Sequence, residues 1–208
     1  NLERFLSELH ESGLLENNSS SLPVILPQVI VLFGASRFLS AFCVSHPDRS
    51  FSLLCSRAYL ATPADRLSLF TRLNDLLSPG SREDEVLHAF RLFRKEELLR
   101  IGLRDLLGKA DLAETVGELS LLAEVCLQAA YERAEKALRN RHGIPLVLHE
   151  DGTSEQAGFA VIAMGKLGGG ELNFSSDIDL MYVYSADGET QGVPSDDGTM
   201  TNSISNHQ

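Results

Sequence analysis

The chain has 208 residues, a formal net charge of −11 and 43 % hydrophobic residues, which is enough apolar material for a folded core and excludes disorder of the whole chain. Its apolar runs are shorter than the ~18–20 residues that a membrane-spanning helix needs, and its first residues lack the pattern of a signal peptide. We therefore expect no membrane partner.

Negative charge is concentrated in the carboxy-terminal part. Residues 151–208 carry nine acidic side chains and one basic one, Lys166, which gives a net charge of −8. A protein that binds nucleic acid needs a positively charged face to displace counterions from phosphates. This part of the chain offers none, so no nucleic-acid partner is expected.

The three cysteines are scattered among apolar neighbours, without a short Cys-x-x-Cys spacing: Cys43, Cys55 and Cys126. Such a pattern predicts buried free thiols rather than a disulfide framework or a zinc site. Free thiols are typical of a reducing compartment, so a cytoplasmic location is expected.

The first 142 residues have the patterns of successive helices. A helical repeat predicts the first of these, through Leu2, Phe5, Leu6 and Leu9. Residues 24–33 are apolar nearly all round and predict a buried helix. Another helix is expected over 36–46, where Pro47 stops it.

Capping patterns predict three further helices in this region. Thr62-Pro63 would start one that ends near Leu77. Ser81, with Asp84 three residues later, would cap a helix that ends at Gly108. Asp111 with Glu114 would open a long helix, which Gly143 ends.

Four arginines recur along the helix predicted between Ser81 and Gly108. The simpler interpretation is a solvated or salt-bridged helix face, although Arg94 and Arg104 could instead reach an acidic site; the four are Arg91, Arg94, Arg100 and Arg104.

The pattern changes after Gly143. Residues 157–163 and 177–184 are short runs rich in β-branched and aromatic residues, and both predict strands. Residues 186–200 are acidic and rich in Gly, Pro and Ser, which predicts a surface loop. We therefore predict an α+β protein with a helical region at 1–150 and the first strands of a second domain at 151–208, incomplete at its carboxy end because two strands do not make a stable sheet.

Two carboxylates and a glycine-rich segment indicate phosphate chemistry in this second domain. Asp177 and Asp179 are two apart on a predicted strand, which would place both on one face. The negative charges of two neighbouring carboxylates repel each other unless a cation lies between them. Mg²⁺ is such a cation, since it accepts one or two carboxylates together with phosphate oxygens. The preceding segment, Gly165 to Gly170, has backbone freedom to approach a phosphate, and Lys166 adds positive charge.

The order of these features resembles the nucleotidyltransferase superfamily. Its pattern is a hydrophobic residue and Gly-Gly/Ser, about ten residues, then Asp-hydrophobic-Asp/Glu-hydrophobic; here it matches Met164-Gly165-Lys166 and Asp177-Ile178-Asp179-Leu180. Lys166 departs from the expected Gly or Ser. The whole stretch from Met164 to Leu180 is similar to the bacterial glutamine synthetase adenylyltransferase family.

That resemblance implies a nucleotidyltransferase fold with a mixed β-sheet and tandem catalytic domains, one removing AMP from a tyrosine of glutamine synthetase by phosphorolysis and one attaching it from ATP. Asp177 and Asp179 would be catalytic metal ligands for Mg²⁺, with Mn²⁺ as a substitute. The contacts to nucleotide or phosphate would come from Gly165, Lys166, Gly168, Ser175 and Ser176. Family members carry a further carboxylate on a later strand, so the present residues are expected to be inactive alone.

The helical stretches select between the two domains. Residues 36–40 with His46-Pro47, and residues 93–106, are similar to the amino-terminal half of the family, which implies the adenylyl-removing domain. Expected partners are glutamine synthetase, a nitrogen-signalling regulatory protein, adenine nucleotide and phosphate. Alternatives are the adenylylating domain, a non-catalytic docking or regulatory module, and a nucleotidyltransferase with another substrate, such as the uridylylating sensor of the same pathway.

Overall fold

The structure is a computed structural model that describes residues 2–17, 20–77 and 80–207. It divides into two compact units. The helical unit comprises Asn1–Cys126 with Gly170–Phe174, and the sheet unit comprises Leu127–Gly169 with Ser175–Gln208. These two units are groups of residues in mutual contact. They do not test the predicted division into a helical region at 1–150 and a second domain at 151–208, which stays a prediction.

The helical unit is built from short helices followed by two long ones. Its elements are α1 (Leu2–Glu11), α2 (Leu14–Asn17), α3 (Leu22–Ala35), α4 (Arg37–Ser45), α5 (Pro47–Cys55), α6 (Arg57–Ala61), α7 (Arg66–Leu76), α8 (Glu83–Leu106) and the first half of α9 (Leu112–His142). The core contains large apolar side chains from most of these helices, among them Phe5, Leu32, Phe51, Leu73, Phe93 and Leu99.

Several sequence predictions for these helices are confirmed. Gly108 and Gly143 follow the ends of α8 and α9 with positive φ angles of 64° and 77°, as expected for helix C-termini. Asp111 caps α9, because its Oδ1 accepts a hydrogen bond of 2.8 Å from the backbone N–H of Glu114.

Other predicted helix starts are wrong by a few residues. α7 begins at Arg66, where Asp65 accepts a 2.7 Å hydrogen bond from the N–H of Ser68, and not at Thr62-Pro63. A carboxylate cap three residues closer to the periodic segment is at least as good an acceptor as Thr. α8 begins after Arg82 rather than Ser81, because the carboxylate of Glu85 accepts from the Arg82 N–H at 2.9 Å.

The prediction of a helix buried on all sides at residues 24–33 is also wrong in part. α3 buries Ile25, Val29 and Leu32, whereas Ile30 on another face is 54 % exposed. Pro47 ends one helix as predicted but also begins α5, since proline fits the first turn of a helix. α5 and α6 were not predicted.

A network of buried ion pairs joins α7, α8 and α9 inside the helical unit. Arg100 of α8 is 2 % exposed and lies between Glu97, at 2.8 Å, and Glu118 of α9, at 2.5 Å. Arg104 pairs with Glu114 and Glu118 and donates to the Leu60 carbonyl at 3.0 Å. The salt-bridged interpretation is thus confirmed for these two arginines, although they are buried rather than solvated.

The sheet unit contains the second half of α9 and small antiparallel β-structures. Its strands are β1 (Pro145–Leu148), β2 (Ser154–Gln156), β3 (Phe159–Ala163), β4 (Leu180–Tyr184), β5 (Glu189–Thr190), β6 (Val193–Pro194) and β7 (Met200–Thr201), with the one-turn helix α10 (Gly165–Gly168) after β3. The strand orders are β2-β1-β5, β3-β4 and β6-β7. The ring of Tyr131 on α9 stacks on Phe159 with centroids 5.6 Å apart, and so packs the helix on the β3–β4 pair.

The α+β class is confirmed, and the strand bounds need correction. β3 and β4 are both two to three residues shorter than predicted, and β4 begins at Leu180. β1 and β2 were missed because neither shows apolar alternation: β1 is a short apolar run, and β2 is entirely polar. The segment 186–200 contains short strands as well as turns. All strand pairs in the described ranges are antiparallel, so a mixed sheet would need further, parallel strands.

Every helix within the described ranges is too short or too polar to cross a bilayer.

The cysteines are free, and their environments predict an order of reactivity. Cys43 is buried, and burial raises the pKa of its thiol and that of Cys126 to about 11; Cys55 is half-buried. At pH 8, roughly one thiol in a thousand is ionised in a group with that pKa, and the thiolate is the reactive form. We expect iodoacetamide at pH 8 to label Cys55 first, as measured by peptide mass spectrometry. Equal labelling rates at Cys43 and Cys55 would contradict this packing.

Candidate active site

Pairing of β3 with β4 brings the glycine turn and the two aspartates to the same end of a hairpin. Five residue pairs, from Phe159 opposite Tyr184 to Ala163 opposite Leu180, form an antiparallel ladder. The ladder extends one residue further, since the N–H of Met164 donates to the carbonyl of Asp179 at 2.9 Å. Asp179 is therefore fixed by backbone hydrogen bonding although it precedes the strand.

Gly165 and the Asp179 carboxylate lie side by side. Gly165 has φ of +56°, and a Cβ placed on it would lie 3.8 Å from Asp179 Oδ2. Glycine adopts this backbone conformation at little cost, whereas other residues disfavour it. The absence of a side chain at residue 165 leaves room beside an exposed carboxylate.

Gly168 has a structural reason to be glycine. A Cβ on this residue would lie 2.5 Å from the carbonyl oxygen of Ala163 at the end of β3. The N–H of Gly168 donates to Met164 O and that of Gly169 to Gly165 O, both at 3.1 Å, so these two donors serve the turn itself. The phosphate contact expected from Gly168 stays a prediction.

We expect Gly168→Ala to destabilise the chain by about 1–3 kcal/mol, because the new methyl group overlaps backbone and cannot rotate away. The measurement is urea unfolding of wild type and variant. Gly117→Ala, within α9, is the matched control: a Cβ there meets nothing within 4 Å. It should be neutral or stabilise by up to about 1 kcal/mol. Equal effects of the two changes would contradict the tight approach of α10 to β3.

The other predicted site residues lie in the same loop. Asp177 is exposed and lies in an irregular stretch with Ser176, Ile178 and Asp179, after a turn at Phe174 and Ser175. Lys166 is exposed on α10, whose one buried side chain is Leu167, 3 % exposed. The burial of Leu167, which anchors this short helix, was not predicted. The signal that could have indicated it is a single leucine in a glycine-rich segment.

Residues 177–179 do not form a strand, which corrects the prediction that strand alternation sets the two carboxylates on one face. The apolar pattern begins at Ile178, but β4 begins only at Leu180. Their roles as metal ligands stay a prediction.

The donor set fits a hard divalent cation in part. Two exposed carboxylates in one short stretch match the one or two that Mg²⁺ takes from a protein, with water and phosphate oxygens as its other ligands. A cluster of three or more His, Cys, Asp or Glu side chains arranged for a metal ion is not found in the ranges 2–17, 20–77 and 80–207. A third carboxylate would have to come from elsewhere.

The sequence match decides the family. A family model described as glutamate-ammonia ligase adenylyltransferase matches residues 26–204. The chain belongs to the glutamate-ammonia ligase adenylyltransferase family. The match extends over both compact units and includes the whole candidate site.

Individual members of the glutamate-ammonia ligase adenylyltransferase family are similar over much of the chain. A protein of Thioalkalivibrio sulfidiphilus is 36 % identical over 167 residues, or 80 % of this chain and 17 % of the relative. One of Burkholderia mallei is 41 % identical over 138 residues, which is 65 % of this chain and 14 % of the relative. Both are named bifunctional glutamine synthetase adenylyltransferase/adenylyl-removing enzyme. The chain thus spans less than a fifth of these relatives.

Proposed function

We propose that this chain carries the adenylyl-removing site of a glutamine synthetase adenylyltransferase and thereby helps to regulate nitrogen assimilation. Inorganic phosphate attacks the phosphorus of an AMP–tyrosine ester on glutamine synthetase. One phosphorus–oxygen bond forms to phosphate, and the bond to the tyrosine oxygen breaks. The products are ADP and tyrosine, whose phenolate takes up a proton.

The observation that supports this proposal most strongly is the placement of Gly165 beside Asp179 at the end of the β3–β4 hairpin. Phosphoryl and nucleotidyl transfer depend mainly on positioning and on neutralising charge. A side-chain-free position next to a backbone-fixed carboxylate provides space for a cation and a phosphate oxygen. The family match carries the same two aspartates within its span.

Each site residue has a proposed task. Asp177 and Asp179 hold Mg²⁺, or Mn²⁺ in its place, which would supply charge neutralisation at the transferring phosphorus. Gly165 and Gly168 let the backbone approach the phosphates, and Lys166 offers a positive charge. Ser175 and Ser176 offer hydroxyl groups to the nucleotide. With two candidate carboxylates in the described part of the chain, we propose that these 208 residues are inactive without a third ligand.

The choice of the adenylyl-removing half rests on the helical stretches. Residues 36–40 lie in α4 and its N-cap, and Pro47, which follows His46, is the first residue of α5. Residues 93–106 form most of the buried length of α8. These segments are among those in which the sequence is similar to the amino-terminal half of the family. The same long enzyme would also transfer AMP from ATP in its other half and respond to a nitrogen-signalling regulatory protein.

Assays in both directions with the complete protein test the assignment. AMP-modified glutamine synthetase, Mg²⁺ and phosphate are supplied, and ADP is followed; in parallel, ATP and unmodified glutamine synthetase are supplied, and AMP incorporation is followed. Asp177→Asn is expected to abolish ADP formation and to leave AMP incorporation intact. Loss of AMP incorporation instead would assign the chain to the adenylylating half. Retention of both activities would favour a docking module.

A further inference from the structure

Five residues between the glycine turn and the aspartates belong to the helical unit rather than to the sheet unit. This anchor segment is Gly170–Phe174. It is continuous in sequence with Gly169 on one side and with Ser175 on the other, so both of its ends lead into the candidate active site. Its attachment to the helical unit is therefore a constraint on the site loop.

The attachment combines one buried hydrogen bond with the burial of Leu172 and the approach of the Phe174 ring to α8. The backbone N–H of Leu172 donates to the hydroxyl of Ser120 on α9 at 3.1 Å, and Ser120 is 3 % exposed. The hydroxyl in turn donates to the Val116 carbonyl at 2.8 Å, which orients its lone pairs toward Leu172. The Leu172 side chain is 7 % exposed, and the ring of Phe174 lies 3.6 Å from where a Cβ on Gly102 of α8 would be.

Asp177 follows closely after the anchor segment in the sequence. Phe174 ends that segment, and Asp179, whose carbonyl accepts a hydrogen bond from the Met164 N–H, follows Asp177. Asp177 itself is outside any strand or helix. Irregular backbone therefore connects the anchor segment directly to the Asp177 carboxylate.

We propose that Ser120 is a positioning residue for the active site: by holding the Leu172 amide, it fixes the amino side of the loop that presents Asp177. The proposal rests on the proposed function for its effect on catalysis. Its effect on the loop does not depend on that function. Replacement of Ser120 by Ala leaves the buried Leu172 N–H without its acceptor, and a buried donor without a partner favours opening of the segment.

The test uses the complete protein with Ser120→Ala, Ser120→Thr and Ser40→Ala. Thr keeps a hydroxyl that bonds to the carbonyl four residues earlier. Ser40 is the matched control. It is also buried, at 1 % exposed, and its hydroxyl donates to the Ser36 carbonyl at 2.6 Å rather than holding the anchor segment. Leu172→Ala removes the apolar part of the attachment from the other side.

Hydrogen–deuterium exchange without metal or nucleotide is the first measurement. Ser120→Ala should speed exchange of the amides from residue 170 to residue 179 by about tenfold. Ser120→Thr should restore slow exchange, Ser40→Ala should leave it unchanged, and Leu172→Ala should speed it. Unchanged exchange in Ser120→Ala, or equal acceleration in Ser40→Ala, would overturn the proposal.

Kinetics then separate this proposal from the proposed function. Ser120→Ala should lower the kcat of ADP formation by about tenfold and raise the Mg²⁺ concentration for half-maximal rate, with the KM for AMP-modified glutamine synthetase unchanged. A loop that opens faster with no change in kcat or in Mg²⁺ requirement would overturn the positioning role. If the wild type forms no ADP, the proposed function fails, and the exchange experiment still decides whether Ser120 holds the loop.

Discussion

Arg100→Met is expected to lower the free energy of unfolding of the chain by about 3–5 kcal/mol, the usual cost of removing one partner from a buried ion pair. Arg100 is 2 % exposed and pairs with Glu97, which is fully buried, and with Glu118, which is 5 % exposed. Methionine fills similar volume, so the loss measures the net negative charge left in the network rather than a cavity. Glu97 keeps Arg72 as its cationic partner, and Glu118 keeps Arg104. Urea unfolding of the purified chain, followed by circular dichroism, is the measurement.

Arg66→Met provides the matched control for this prediction. Arg66 pairs with Glu124, but both side chains are exposed, 59 % and 41 %. Solvent screens such a pair, so its loss should cost less than about 1 kcal/mol. Similar losses for Arg100→Met and Arg66→Met would show that the ion pairs of α8 are not buried in solution.

The second large effect is expected at the candidate metal site. Asp179→Asn should lower the rate of ADP formation by the complete protein by about a thousandfold or more, because the transition state loses a charged metal ligand worth several kcal/mol. Asparagine preserves the shape of the side chain and the backbone hydrogen bond from Met164 to residue 179. We therefore expect the variant to keep the fold of the loop and to lose ADP formation.

Asp196→Asn is the control for this change. It removes the same charge from another exposed aspartate of the sheet unit, in the 186–200 segment. Its rate should stay within about twofold of wild type, as is usual for a surface substitution away from the site. A loss of rate in Asp196→Asn comparable to that in Asp179→Asn would indicate a general charge effect and contradict a specific ligand role.

The helices could be predicted from sequence where a local signal decides them. Gly108 and Gly143 end their helices because a positive φ angle is a property of a single residue and its neighbours. The start of α7 was misplaced because Thr62, Pro63 and Asp65 all fit a helix start, and the choice among them depends on a hydrogen bond to Ser68. Local sequence patterns therefore allow several starts for α7.

The ion-pair network could not be predicted, because its members come from distant parts of the sequence. Glu97 pairs with Arg72 and Arg100, and Glu118 belongs to another helix. The spacing of the arginines indicated a salt-bridged helix, yet nothing local indicates which charges are buried. Burial is decided by packing of α7, α8 and α9.

The residues of the candidate site could be predicted from their order in the sequence, but the geometry of the site could not. Gly165, Asp177 and Asp179 are recognised by a short motif. The attachment of Leu172 to Ser120 joins residues 52 apart, which no periodicity or spacing reveals. The bounds of β4 were also misjudged, because apolar alternation continues from Ile178 while the backbone ladder begins later.

Phosphorolysis at Asp177 and Asp179 can be tested by following the phosphorus atoms. The complete protein is given AMP-modified glutamine synthetase, Mg²⁺ and ³²P-labelled inorganic phosphate, and the nucleotide product is separated and counted. We expect one labelled ADP for each AMP removed, with the label in the β-phosphate, and no labelled ADP from the Asp177→Asn protein. Release of unlabelled AMP, or labelled ADP formed equally well by Asp177→Asn, would contradict the assignment of these residues to phosphorolysis.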